Sequence, residues 1–181
     1  MDFTPKQIED MVAHLKQGQV IAAPAEGVFG LCADPFNHTA LQELLSIKDR
    51  NPGKGFVVLI ENVGHLSSLT ETLAKHHWDA IDKYWPGPIT LLLPARADMP
   101  SLLTGGGDKI AVRLPEAPHV LEYLKAWGGP LVSTSANLSG QKPAVTVAEL
   151  PDDSLYVIEP KTPLNGEVSR ILDVESGHWI R

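Results

Sequence analysis

The chain has 181 residues, with 15 lysines and arginines against 22 aspartates and glutamates, a formal charge of −7 and a pI near 5.4. That length suits one domain over 1–181, and the acidity argues against a protein that coats nucleic acid while leaving room for a local basic pocket. Cys32 is the only cysteine, no apolar run is long enough to span a bilayer, and Met1-Asp2-Phe3-Thr4-Pro5 lacks the basic head and apolar stretch of a signal peptide. These features lead to the expectation of a cytoplasmic protein without disulfides.

The first element is a helix from about Pro5 to Gln17. Thr4 caps it, Pro5 fits its first position, Gln7 completes a capping box, and Gly18 ends it. Short strands are expected over Gln19–Ala23 and Val28–Cys32, then a helix from Thr39 to about Lys48 with Leu41, Leu44 and Leu45 at helical spacing. Lys54–Ile60 reads as a strand covered on both faces, because Phe56 to Ile60 is apolar without alternation. Helical character runs from about Leu66 to Tyr84, and Trp85-Pro86-Gly87-Pro88 must turn. Strands follow over Ile89–Leu93 and Lys109–Leu114, with a glycine loop (Gly105-Gly106-Gly107) between them, then a helix from Pro118 to about Ala126. Leu131–Thr134, Leu155–Ile158, Ile171–Val174 and His178–Ile180 complete the strands. Helices alternate with strands early and strands dominate late, so the expected fold is α/β, with a twisted, mixed sheet flanked by helices. The strand order is left open.

Three segments carry polar chemistry. In Leu131-Val132-Ser133-Thr134-Ser135-Ala136-Asn137-Leu138-Ser139-Gly140, an apolar strand delivers hydroxyls and an amide into a loop. Such a segment either binds phosphate or carboxylate oxygens or forms a turn bonded to its own backbone. Lys48, Arg50 and Lys54 place three cations between an apolar helix and an apolar strand, where they serve either an anionic ligand or solvated surface. Arg113 ends an apolar strand, so it needs an anionic ligand or an internal carboxylate as partner; Arg170 raises the same question less strongly. In Pro24-Ala25-Glu26-Gly27-Val28-Phe29-Gly30 the glycines permit a close backbone approach, but the segment is neither a Walker A sequence nor a dinucleotide fingerprint. Dispersed histidines, with His76 and His77 read as solvated, argue against a zinc site, and Cys32 reads as a core residue. The four tryptophans read as packing residues, since no basic residues interleave with them.

Taken together, these segments resemble the threonylcarbamoyl-AMP synthase family of tRNA-modification enzymes in its short, single-domain bacterial form. Pro130 to Gly140 is the most specific piece. Pro24-Ala25-Glu26-Gly27-Val28-Phe29-Gly30-Leu31, Lys48-Asp49-Arg50, Trp85-Pro86-Gly87-Pro88-Ile89-Thr90 and Ala111-Val112-Arg113-Leu114-Pro115 follow the family's order, over nearly the whole chain. The resemblance implies an open cationic cleft and synthesis of threonylcarbamoyl-AMP from L-threonine, bicarbonate and ATP with release of pyrophosphate, for modification of tRNA at position 37. It implies Lys48, Arg50 and Lys54 as catalytic cations. It implies Glu26, Arg113, Ser133, Ser135, Asn137, Ser169 and Arg170 as residues that bind ATP and threonine. Mg²⁺ accompanies ATP in this picture, no metal ligand set is assigned, and tRNA-modification proteins receive the intermediate.

One departure stands out. The family usually reads Tyr-Pro-Thr-Glu where this chain has Ala23-Pro24-Ala25-Glu26, so a hydroxyl and an aromatic ring are missing. Two other readings remain open at this point: an RNA-binding or ribosome-maturation protein that uses the cationic cleft, and a nucleotide-binding relative that has lost threonine activation.

Overall fold

The computed structural model describes residues 2–180; Met1 and Arg181, the ends of the expected 1–181 domain, lie outside the described residues. Helix α1 (Pro5–Lys16) has the expected capping box, with Thr4 accepting from the Gln7 N–H. Two antiparallel strands follow, β1 (Ile21–Pro24) and β2 (Phe29–Ala33), then α2 (His38–Lys48) and β3 (Val57–Leu59). Next come α3 (Lys75–Tyr84), β4 (Ile89–Pro94), the short α4 (Ser101–Thr104), β5 (Lys109–Arg113), α5 (Pro118–Trp127) and β6 (Leu131–Ser135). The tail adds β7 (Tyr156–Val157), β8 (Arg170–Asp173) and β9 (His178–Trp179).

Among the described residues these strands form one mixed sheet in the order β7-β1-β2-β6-β3-β5-β4-β8-β9. β6 lies between β2 and β3 and is antiparallel to both; Cys32 stands opposite Ser133 and Gly30 opposite Ser135. The sheet is covered on both faces. Met11 and Leu15 of α1 and Val120, Tyr123 and Leu124 of α5 pack on one side, with Ile21, Ala23, Leu59 and Leu131. Leu41 and Leu44 of α2, Ile81 of α3 and Leu103 of α4 pack on the other, with Val58, Leu91, Val112 and Val132. Successive strand residues alternate between these layers, so side-chain parity decides which residues can reach a given face.

Four features of the fold differ from what the sequence pattern leads one to expect. The strand expected from Lys54 to Ile60 is only three residues long, because Pro52–Lys54 forms a 3₁₀ turn and Gly55 has a φ of 58°. A side chain at Gly55 would meet the Leu103 carbonyl oxygen at 2.7 Å, so this entry is reserved for glycine. The helix expected over Leu66–Tyr84 is divided into a 3₁₀ segment (Val63–Ser68), a bridge from Thr70 to Ala95, and α3. α4 lies in a stretch read as loop. Finally, His77 is buried, with only His76 exposed.

Tyr123 is fully buried against Phe3, and its hydroxyl has no hydrogen-bond partner among the described residues. Burial pushes its phenol well above the ordinary range. An unsatisfied buried hydroxyl costs about 1–3 kcal/mol, while the ring fills the layer between α5 and the sheet. Tyr123→Phe is therefore expected to stabilise the fold by roughly 1 kcal/mol in urea unfolding; a loss of stability would show that the hydroxyl is satisfied in solution.

Candidate active site

A cavity of about 470 Å³ opens beside β6, on the face that carries α1 and α5. Its walls come from the β1–β2 turn (Ala25, Glu26, Gly27), from Arg50 after α2, from Arg113 at the end of β5, from Ser133 and Ser135 on β6, and from the first turn of α5. The irregular stretch before β8 closes one side through Asn165, Glu167, Val168 and Ser169. This strap lies on Gly27, whose carbonyl accepts from the Gly166 N–H at 2.7 Å. A Cβ on Gly27 would strike the Glu167 backbone and the Asn165 side chain, so glycine is what lets the strap close.

Arg113 is the most buried cation of the wall, at 5% exposure. Its NH1 donates to Glu26 Oε2 at 3.4 Å, and Nε has no partner among the described residues. Both partners anticipated for this arginine are thus at hand: an internal carboxylate at long range, and a cavity that can hold an anion. Burial lowers its pKa, and the Glu26 charge opposes that shift. Glu26 also accepts from the Glu116 N–H at 3.3 Å, so it faces the guanidinium while tethered to the chain before α5. Arg50 is fixed from below: its NH2 donates to the Gly55 carbonyl at 2.9 Å, and its guanidinium stands 5.4 Å above the Phe56 ring.

The two β6 serines enter the cavity because they share a parity. Gly30 leaves room for Ser133, since a Cβ there would come within 2.5 Å of its Oγ. Cys32 lies beneath, fully buried, with burial pushing its thiol up to about 12, so it stays protonated.

Not every expected site residue lines this cavity. Lys54 is exposed on the 3₁₀ turn. Arg170 lies on the other face of β8 from the cavity-lining Ser169 and Ile171, with its guanidinium 4.0 Å over the ring of Trp179. The structure thus stacks a cation on one of the tryptophans read as packing residues. Ser169 lines the cavity and accepts from the Thr90 hydroxyl at 3.2 Å.

Lys48 is 2% exposed and approaches the end of β6 from the α2 side. Its ammonium donates to the Ser135 carbonyl, to the Asn137 carbonyl at 3.0 Å and to Asn137 Oδ1 at 3.1 Å. Burial, and then the like charge of Arg50, push it down to about 8. Lys48 and Asn137 therefore shape the wall behind Ser135. The lining carries two arginines and three glutamates (Glu26, Glu116 and Glu167), a mixed charge in place of the expected cationic cleft.

A second polar cluster lies away from the cavity. His76, His77 and Glu175 bring their ligand-type atoms within 4.8 Å of one another. His77 Nδ1 accepts from the Ala74 N–H at 3.1 Å, which leaves the neutral ring's proton on Nε2, 2.6 Å from Glu175 Oε1. A metal-bound imidazole has the opposite arrangement, with the distal ring nitrogen donating. This cluster reads as a clasp between α3 and the β8–β9 turn.

An α/β sheet that gathers arginines, serines and a glycine-seated strap around one cavity has the form of a small-molecule site. The chain belongs to the Sua5/YciO/YrdC family, whose model, described as telomere recombination, matches residues 13–181. It is 41% identical to the threonylcarbamoyl-AMP synthase of Klebsiella pneumoniae over 175 residues, covering 94% of this chain and 92% of that protein. It is 36% identical to the enzyme of the same name from Aliivibrio fischeri, covering 97% and 98%. With such relatives along nearly its whole length, the chain is an enzyme. P. abyssi Sua5 complexed with L-threonine superposes with a TM-score of 0.84 at 25% identity, over 92% of this chain and 50% of that one, so the present chain spans about half of Sua5. E. coli YciO superposes at 0.79 with 21% identity, over 95% and 86%, and shares the fold.

Removing the Lys48 ammonium would strip donors from three oxygens at once. Lys48→Met is expected to cost about 3 kcal/mol in denaturant unfolding, in the range for breaking a buried charged network. Wild-type stability in this variant would show that the network contributes little.

Proposed function

We propose that this chain makes threonylcarbamoyl-AMP from L-threonine, bicarbonate and ATP, and that it acts as one domain over 1–181. The observation that carries the reading is the buried Arg113 guanidinium at the cavity wall, which makes a long contact to Glu26 and whose Nε has no partner among the described residues, in a chain whose relatives bear this enzyme's name. The threonine in the Sua5 complex supports an amino-acid site in this fold.

The threonine amine attacks carbon dioxide formed by dehydration of bicarbonate. The new N–C bond gives an N-carboxylate as the amine loses a proton. A carboxylate oxygen then attacks the α-phosphorus of ATP, the bond from that phosphorus to the β-phosphate oxygen breaks, and pyrophosphate leaves. No covalent enzyme intermediate is required, so the protein's task is to position substrates and neutralise charge. Arg50 and Arg113 hold anionic groups, Ser133, Ser135 and Ser169 orient the ligands, and the strap over Gly27 keeps water from the mixed anhydride. Lys48 and Asn137 hold the wall, and Lys54 and Arg170 contribute from outside the cavity.

Glu26, Glu116 and Glu167 line the cavity with carboxylates that would hold a Mg²⁺ ion bound with the triphosphate, and that ion would supply charge neutralisation there. Ala25 lines the cavity where the family has threonine, and its carbonyl is within 2.7 Å of His119 Nε2; Ala23 is buried in the layer with α1 and α5. Of these two departures, Ala25 is the one that lines the cavity. The product goes to the tRNA-modification machinery in a cytoplasmic setting. Among the described residues, no helix is long and apolar enough to cross a membrane.

Pyrophosphate release from ATP is expected to require threonine and bicarbonate together, and to fall at least tenfold in Arg50→Ala as a charged contact worth about 1.5–3 kcal/mol is lost. Equal release with either substrate omitted would contradict the assignment.

A further inference from the structure

The loop after β6 fixes the direction of one hydroxyl in the cavity. Asn137 stands at its centre. Its Nδ2 donates to the Leu138 carbonyl at 3.0 Å and the Gln141 carbonyl at 2.8 Å, so both amide hydrogens are committed. Its Oδ1 lies 3.1 Å from Lys48 Nζ and 2.7 Å from Ser135 Oγ. Turning the amide over would set N–H hydrogens against the ammonium and the amide oxygen against two carbonyls, so only one orientation fits. Lys48 has no acceptor to offer, and Ser135 meets the same oxygen. The serine must therefore donate to it. A hydroxyl has one hydrogen, and with that hydrogen held by Asn137, Ser135 Oγ presents only lone pairs to the cavity it lines.

We infer that Ser135 is a specificity-determining acceptor, which recognises an N–H or O–H donor of the substrate and is mismatched to phosphate and carboxylate oxygens. The inference rests on the reading that ATP and threonine occupy this cavity. Each carries such donors: the adenine amino group and ribose hydroxyls in one, the amine and side-chain hydroxyl in the other. The anionic ends of both are left to Arg50 and Arg113, on the loop after α2 and on β5. The buried Lys48 thereby sets the polarity of a hydroxyl it does not touch, by fixing the Asn137 carboxamide between them.

Calorimetry on wild type and Ser135→Ala tests this with ATP, threonine and counterparts that each lack one donor. These are ATP without one or the other ribose hydroxyl, purine riboside triphosphate, α-aminobutyrate and β-hydroxybutyrate. Ser135→Ala should weaken one parent ligand about two- to tenfold, the worth of one net hydrogen bond. It should have no effect on the single counterpart that lacks the recognised donor, which identifies the source as nucleotide or amino acid. An equal loss for every counterpart, or no loss for either parent, overturns the inference. Failure of wild type to bind either parent counts against the functional reading instead. The polarity is then read without ligand by neutron diffraction of the free protein: a Ser135 deuteron directed at Asn137 Oδ1 supports the inference, and one directed into the cavity overturns it.

Discussion

The cavity wall is organised around a buried ammonium. Lys48 lies at the last turn of a helix on one face of the sheet, yet its charge is spent at the end of a strand whose serines open on the other face. Two carbonyls and a carboxamide oxygen receive its hydrogens, and its own carbonyl accepts from the Ser139 N–H at 2.8 Å. The helix end and the loop after β6 are thus locked to each other in both directions. Arg50 follows two residues later, past Asp49 in the left-handed conformation that ends α2, so the lock also sets where that guanidinium starts. One network therefore positions the serine side and part of the arginine side of the cavity.

Charge in the cavity is balanced rather than uniformly positive. Glu26 stands opposite Arg113 at a distance that gives a weak hydrogen bond but a substantial Coulomb interaction in a partly dry site. Such a pair keeps the guanidinium charged and aimed while the cavity is empty of anion. A substrate carboxylate or phosphate can then add to the remaining donors without the arginine having to swing out of solvent. The same balance disfavours the sequence-derived alternative of a cleft for nucleic-acid backbone, because three glutamates on the lining would repel successive phosphates.

Much of this was legible in the sequence. The capped first helix, the Pro24–Gly30 turn, the strand ending at Arg113 and the serine-rich end of β6 all fall where pattern and turn chemistry put them, since each is specified by neighbours in the chain. Lys48-Asp49-Arg50 shows where local reading stops. Two cations two residues apart look equivalent, but the left-handed turn at Asp49 separates them, sending one into the wall and the other to the cavity. Arg170 and Ser169 part at the start of β8: Ser169, in the irregular stretch before the strand, lines the cavity together with Ile171, while Arg170, the first residue of β8, turns to Trp179. The contribution of Asn165 to Glu167 had a sequence signal only in Gly27, whose need for a bare Cα becomes visible once the strap is seen lying on it.

The claim on which the rest depends is that this cavity joins a carbon from bicarbonate to threonine and then to AMP. Mass spectrometry of a single turnover with ATP, threonine and bicarbonate carrying heavy carbon measures that directly. The account predicts an adenylate whose carbamoyl group contains the heavy carbon, formed one for one with pyrophosphate. AMP and pyrophosphate released without any labelled adenylate, under conditions where the product survives, would contradict it.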